Sequence, residues 1–143
     1  TYMLKKQQLF VIFIFILTFQ SCGILNFGEY RYHEIRKSYY KDGSLEYKSS
    51  YFNDKLDGPT WYYNNNGILL TYSEYVNGSL HGISKSFYVS GKIKYSCSYF
   101  HGHKHGDEKF YHENGRPQSL ATYEYGEEIK EIIRWNEKGE LLY

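Results

Sequence analysis

Glycines 43, 67, 91, 115 and 139 stand 24 residues apart. A fixed period of this length means that one small structural unit is repeated along the chain and that neighbouring units share a core. Further columns keep the same step. With each leading glycine counted as the first residue, the ninth is Tyr51, Tyr75, Tyr99 and Tyr123, and the twelfth is Asp54, Gly78, Gly102 and Gly126. The sixteenth is Gly58, Gly82, Gly106 and then Lys130; the twenty-first is Tyr63, Phe87, Tyr111 and Trp135. Whatever the fold is, it solves the same local geometry four times.

Each unit reads as a β-hairpin. Side chains alternate across a strand with period 2, so Leu45, Tyr47, Ser49 and Tyr51 share one face, as do Leu69, Thr71, Ser73 and Tyr75, and Ile93, Tyr95, Cys97 and Tyr99. The intervening positions, such as Glu46, Lys48 and Ser50, are polar, which predicts a narrow tyrosine-rich core face and a wet face. Asp42-Gly43, Asn66-Gly67 and Asn114-Gly115 fit tight turns with positive φ, and the Asp54/Gly78/Gly102/Gly126 column fits a second positive-φ position. The expected fold is all-β: a single-layer twisted sheet of eight or more strands, an antiparallel meander. Its units are 43–66, 67–90, 91–114 and 115–138, with a closing strand at 139–143; the repeat domain is 39–143. The last unit, with Pro117, Lys130 and Ile129, Ile132, Ile133 and Trp135, reads as a cap. Residues 22–38 read as a tether followed by a degenerate first strand over 30–40.

Composition agrees and adds exclusions. The chain of 143 residues is 20% aromatic, with 18 Tyr and 13 Gly, which disfavours both a helical bundle and disorder. Its formal charge of +1 supplies no bulk field for nucleic acid. Two cysteines make no disulfide framework.

Lys5 and Lys6 precede an apolar run from Leu9 to Phe19, followed by Gln20-Ser21-Cys22-Gly23. A charged start, an apolar core and a small residue before the cut describe a secretory signal, here residues 1–21. The Ser-Cys-Gly ending resembles the lipobox of bacterial lipoproteins. That resemblance implies cleavage before Cys22, lipidation of Cys22, and a membrane-anchored protein of the bacterial cell envelope, at the outer membrane or cell surface in a Gram-negative cell. Removal of Lys5 and Lys6 leaves 15 basic against 16 acidic residues.

Tyr75-Val76-Asn77-Gly78-Ser79-Leu80-His81-Gly82 and Tyr99-Phe100-His101-Gly102-His103-Lys104-His105-Gly106, with Tyr63-Asn64-Asn65-Asn66-Gly67 and Tyr111-His112-Glu113-Asn114-Gly115 closing their units, resemble the bacterial variant of the MORN repeat. Proteins of this kind are often labelled YwqK-family antitoxins. The resemblance implies a protein-interaction scaffold, an antitoxin or immunity role with a toxin as partner, and no cofactor or catalytic residue.

Three features have the chemistry of candidate sites. His101, His103 and His105, with His112, have the chemistry of metal ligands; the equivalent positions hold Asn53, Lys55 and Asp57, or Asn77, Ser79 and His81, so the tract reads as variable polar loop residues and no metal site is expected. Gly102 and Gly106 predict a turn there. Cys97 replaces Ser49, Ser73 and Ala121 and reads as a small core residue rather than a nucleophile. Trp61, Tyr62, Tyr88 and Phe110 are candidates for exposed stacking residues, which supports an alternative function as an envelope-polysaccharide module. No catalytic motif is present, so a non-enzymatic protein is expected.

Overall fold

The chain reverses twice in every unit, and the two reversals are built differently. This computed structural model describes residues 33–143. It contains β1 (Glu34–Tyr39), β2 (Leu45–Phe52), β3 (Lys55–Tyr63), β4 (Leu69–Val76), β5 (Ser79–Phe87), β6 (Ile93–Phe100), β7 (His103–Tyr111), β8 (Pro117–Glu124), β9 (Glu127–Trp135) and β10 (Leu141–Leu142). Each strand pairs antiparallel with its chain neighbours, and the order in the sheet is β1 to β10 without a crossover. The all-β single-layer meander follows from the period as expected. Of the 30–40 span expected for the first strand, β1 occupies Glu34–Tyr39, and residues 30–32 lie outside the described residues. The signal segment, Cys22 and the tether lie outside the described residues.

At mid-unit, Phe52 pairs with Lys55, Val76 with Ser79, Phe100 with His103 and Glu124 with Glu127, leaving two residues in each turn. Both have positive φ: Asn53 and Asp54 at 50° and 58°, Asn77 and Gly78 at 51° and 83°, His101 and Gly102 at 49° and 85°, Tyr125 and Gly126 at 50° and 92°. These are the two-residue turns whose twist matches that of the strands. The leading glycines close a longer loop. Gly43 N–H donates to the Tyr40 carbonyl at 3.0 Å and Tyr40 N–H to that of Ser44 at 2.9 Å, a pattern repeated at 64–68, 88–92, 112–116 and 136–140. Only the glycine there has positive φ. The Asp-Gly and Asn-Gly pairs therefore end three-residue loops, and the tightest turns lie at the other column.

Gly58, Gly82 and Gly106 are not turn residues. They lie inside β3, β5 and β7 at φ near 100°, where a bulge sets three residues of the second arm against one of the first, Ser50, Glu74 or Ser98. A Cβ on Gly58 would stand 3.1 Å from that of Ser50. This corrects the expectation that Gly106 marks a turn. In the last unit the irregularity is split in two, Lys130 pairs with Thr122, and its φ is not positive. The backbone changes where the glycine is lost.

The expected core face is present and thin. Ser49, Thr60, Ser73, Ser84, Cys97, Glu108 and Ala121 pair strand to strand in one row across it. Tyr95 and Tyr99 flank Cys97 on the same face, and their hydroxyls meet at 3.1 Å. Beneath that arch Cys97 is 1% exposed, and burial pushes its thiol pKa up. Cys97 is a packing residue, as expected. Lys104 Nζ donates to Glu108 Oε1 at 2.5 Å, and the Tyr95 hydroxyl donates to the same oxygen at 3.2 Å.

The opposite face is not simply wet. Ser50 and Asp57 are buried there, and Trp61 packs on Tyr72 with ring centroids 5.8 Å apart. Lys48 Nζ lies over the Trp61 ring at 4.9 Å. Of the four candidate stacking residues only Tyr62 is exposed. Phe110 packs on Tyr95 at 4.8 Å, and the Tyr88 hydroxyl donates to the Tyr111 carbonyl at 2.6 Å. The last unit does not seal the sheet either, because Ile129 and Ile133 remain exposed.

Candidate functional site

His33, Asp57, His81 and His105 occupy one column, 24 residues apart. The last three immediately precede the bulge glycines, and each reaches toward the next unit's mid-unit turn. Asp57 Oδ2 accepts Asn77 N–H at 3.1 Å, and Asp57 Oδ1 lies 2.8 Å from His33 Nε2. In the following units rings replace this polar clamp. His81 meets Phe100 at 5.1 Å and His101 at 5.0 Å, and His105 meets Tyr125 at 5.0 Å.

Phe100 is the centre of the cluster. His101 lies 4.4 Å from it edge-on, His105 5.8 Å and Tyr125 5.9 Å, by ring centroids. Phe100 is 38% exposed and Tyr125 60%, with exposed Ile83 two residues beyond His81 and exposed Ile129 in the His105 column. Nδ1 of His81 and Nδ1 of His105 are buried without a hydrogen-bond partner among the described residues. An unpaired buried polar atom costs about 1–3 kcal/mol.

The turns add strain. A left-handed backbone is easy for Gly and tolerable for Asn, but it costs other residues about 1–2 kcal/mol. His101 and Tyr125 adopt it where the preceding units place Asn53 and Asn77. Such strain gathers at functional sites. The cluster thus joins exposed rings, strained turns and two unpaired imidazole nitrogens within two adjacent units.

The sequence tract is split by this arrangement. His101 sits in a turn, while His103 and His105 begin β7 and His105 joins the cluster. A Cβ on Gly126 would lie 3.4 Å from His103 Nδ1. His112 belongs to a leading-glycine loop, its Nε2 2.9 Å from the Trp135 carbonyl. No three His, Cys, Asp or Glu side chains converge as a metal site among the described residues. Phe100 and Tyr125 were missed as site residues because their link to His81 and His105 runs between units. The signal available was the His33/Asp57/His81/His105 column itself.

The repeat-motif residues serve the scaffold: Gly43, Gly67, Gly91 and Gly115 close loops, Gly78, Gly102 and Gly126 make turns, and Tyr51, Tyr75, Tyr99 and Tyr123 line the Cys97 face. A family model described as the MORN repeat variant matches residues 35–53, 80–101 and 104–125. Each matched segment is a hairpin around a leading-glycine loop, at Gly43, Gly91 or Gly115. No curated protein matches the chain.

Proposed function

We propose that the chain, three segments of which match the MORN repeat variant, a type of repeat that generally serves for contact with proteins or membranes, is a non-enzymatic scaffold that docks a protein partner on the Phe100 cluster. One observation carries this reading: exposed Phe100, beside the turn residue His101, and exposed Tyr125 cluster at two turns where His101 and Tyr125 take a left-handed backbone that a more stable sequence would give to Asn or Gly. Exposed aromatic anchors of this kind supply most of the binding energy at protein interfaces. The likeness to YwqK-family antitoxins makes a toxin the partner of first choice. Glycan stacking has less support, because Trp61 is occupied by Tyr72 and Lys48.

Tyr125→Asn tests the docking reading without a folding artefact. Asn suits the left-handed turn, so the variant should be more stable than the parent by about 1 kcal/mol. Capture of partner proteins from an envelope extract by the full chain should nevertheless fall several-fold, and further with Phe100→Asp. Undiminished capture by both variants would overturn the assignment.

We also infer that the scaffold is tethered to an envelope membrane through a lipid on Cys22. The support is the order Lys5-Lys6, an apolar run to Phe19, and Ser21-Cys22-Gly23. Radiolabelled palmitate should label the protein in cells and fail to label Cys22→Ala. Equal labelling of the two would rule the anchor out.

A further inference from the structure

We propose that the face opposite Cys97 carries a second docking strip, for an acidic extended segment of a partner protein. This rests on the reading of the chain as a protein scaffold and specifies the chemistry of one partner segment. The strip is a row of direct cross-strand pairs: Lys37 to Lys48, Lys48 to Trp61, Trp61 to Tyr72, Tyr72 to Lys85, Lys85 to Ser96 and Ser96 to Lys109. Near-neutral net charge conceals this line of lysines, which register places on one face.

Carboxylates share this face: Asp107 neutralises Lys109 at the end of the row and Glu74 is held by Tyr72 within it, which leaves Lys37, Lys48 and Lys85 as its unpaired cations. Glu46 accepts from the Ser38 hydroxyl, and Glu74 from the Tyr72 hydroxyl and Ile83 N–H. Asp107 pairs with Lys109 and accepts from Thr122. Among the described residues no carboxylate lies within ion-pair distance of Lys37, Lys48 or Lys85, and Lys37 stands directly opposite Lys48. Lys94, also on this face, adds a further positive charge, its Nζ 5.8 Å from the Tyr88 ring centroid. Like charges placed opposite one another repel, so the strip favours an anionic occupant.

Spacing narrows the occupant further. Lys48 and Lys85 are three strands apart, about 14 Å, with Trp61 and Tyr72 between them. An extended peptide rises about 3.3 Å per residue and repeats its face every second residue, so acids four residues apart would meet the two lysines. The side chain midway between them would lie over Tyr72, since Lys48 already covers the Trp61 ring. The tilt of 57° between Trp61 and Tyr72 denies a flat sugar ring a continuous platform, which favours a peptide over a glycan.

The test uses the full chain and a fluorescent ten-residue peptide with Glu at alternate positions and a central Phe, beside the same peptide with Gln for Glu. The Glu peptide should bind, weaken with added salt, and exceed the Gln peptide by about tenfold. Lys48→Gln with Lys85→Gln should weaken it about three- to tenfold, whereas Lys41→Gln with Lys138→Gln, which removes equal charge from turns, should not. Phe100→Asp should leave peptide binding unchanged, so failure of the strip and failure of the Phe100 cluster are separable. Equal binding of the Gln peptide, equal loss in the turn-lysine variant, loss in Phe100→Asp, or binding to phosphatidylglycerol vesicles without binding to the Glu peptide would each overturn the proposal.

Discussion

Gly82→Ala is expected to lower stability by about 2–4 kcal/mol, several times the effect of Gly78→Ala four residues away. Two costs add at Gly82. Its φ of +101° lies where a side chain is strained, and a Cβ there would collide with the Glu74 carboxylate, with the Glu74 Cβ only 3.1 Å away. Glu74 cannot move freely, because it accepts Ile83 N–H at 2.8 Å and the Tyr72 hydroxyl at 2.6 Å. At Gly78 nothing lies within 4 Å of the added Cβ, so only the left-handed turn cost of about 1 kcal/mol remains. Calorimetric unfolding of the two variants decides the matter, and equal losses would show that the bulge is not the close contact described.

Lys104→Met should be the second large effect. Glu108 is buried while Lys104 keeps about a third of its side chain in water. Removing the ammonium leaves the carboxylate with the Tyr95 hydroxyl at 3.2 Å. Breaking a fully buried pair costs about 3–5 kcal/mol; with one end solvated, a loss of about 2–3 kcal/mol is expected. The double variant Lys104→Met, Glu108→Met should recover most of it, because no unpaired charge remains. A double variant no more stable than the single one would refute this account.

Alkali probes the same pair in the unaltered protein. Burial works to lower the pKa of Lys104, but the hydrogen bond and charge of Glu108 outweigh it and hold it above the usual lysine range. The Glu74 hydrogen bond, with burial, pushes the Tyr72 hydroxyl up to about 12. Both groups keep their protons longer when folded than when unfolded. Their stabilisation is therefore complete below the unfolded-state values of about 10 and is lost as pH rises through the folded ones. Thermal midpoints should fall between about pH 10 and 12 in the parent, and less steeply in Lys104→Met.

The meander and the Cys97 face could be read from the sequence because they depend on two periods, 24 and 2, that residue types display directly. The turn types could not be assigned as easily. Asn66-Gly67 has the residues of a two-residue turn, yet one extra residue in the loop leaves only the glycine left-handed, while His101-Gly102, a less obvious pair, makes the tight turn. Gly106 misled for a related reason. A bulge and a turn both ask for positive φ, and only the pairing of Glu108 with Cys97 and Lys104 with Tyr99 shows that the strand continues. The Phe100 cluster depends on that bulge, which carries His81 and His105 toward rings some twenty residues later. The lysine row stayed hidden because its members are neighbours through register, not through spacing along the chain.

The uncrossed strand order has an evolutionary consequence. With each strand hydrogen-bonded only to those before and after it, a 24-residue unit can be duplicated or excised without rethreading the rest. Each such event moves every feature beyond it by two strand widths, about 10 Å. The sheet thereby works as a molecular ruler, on which the distance between two attachment points is set by counting units and can be reset in whole steps.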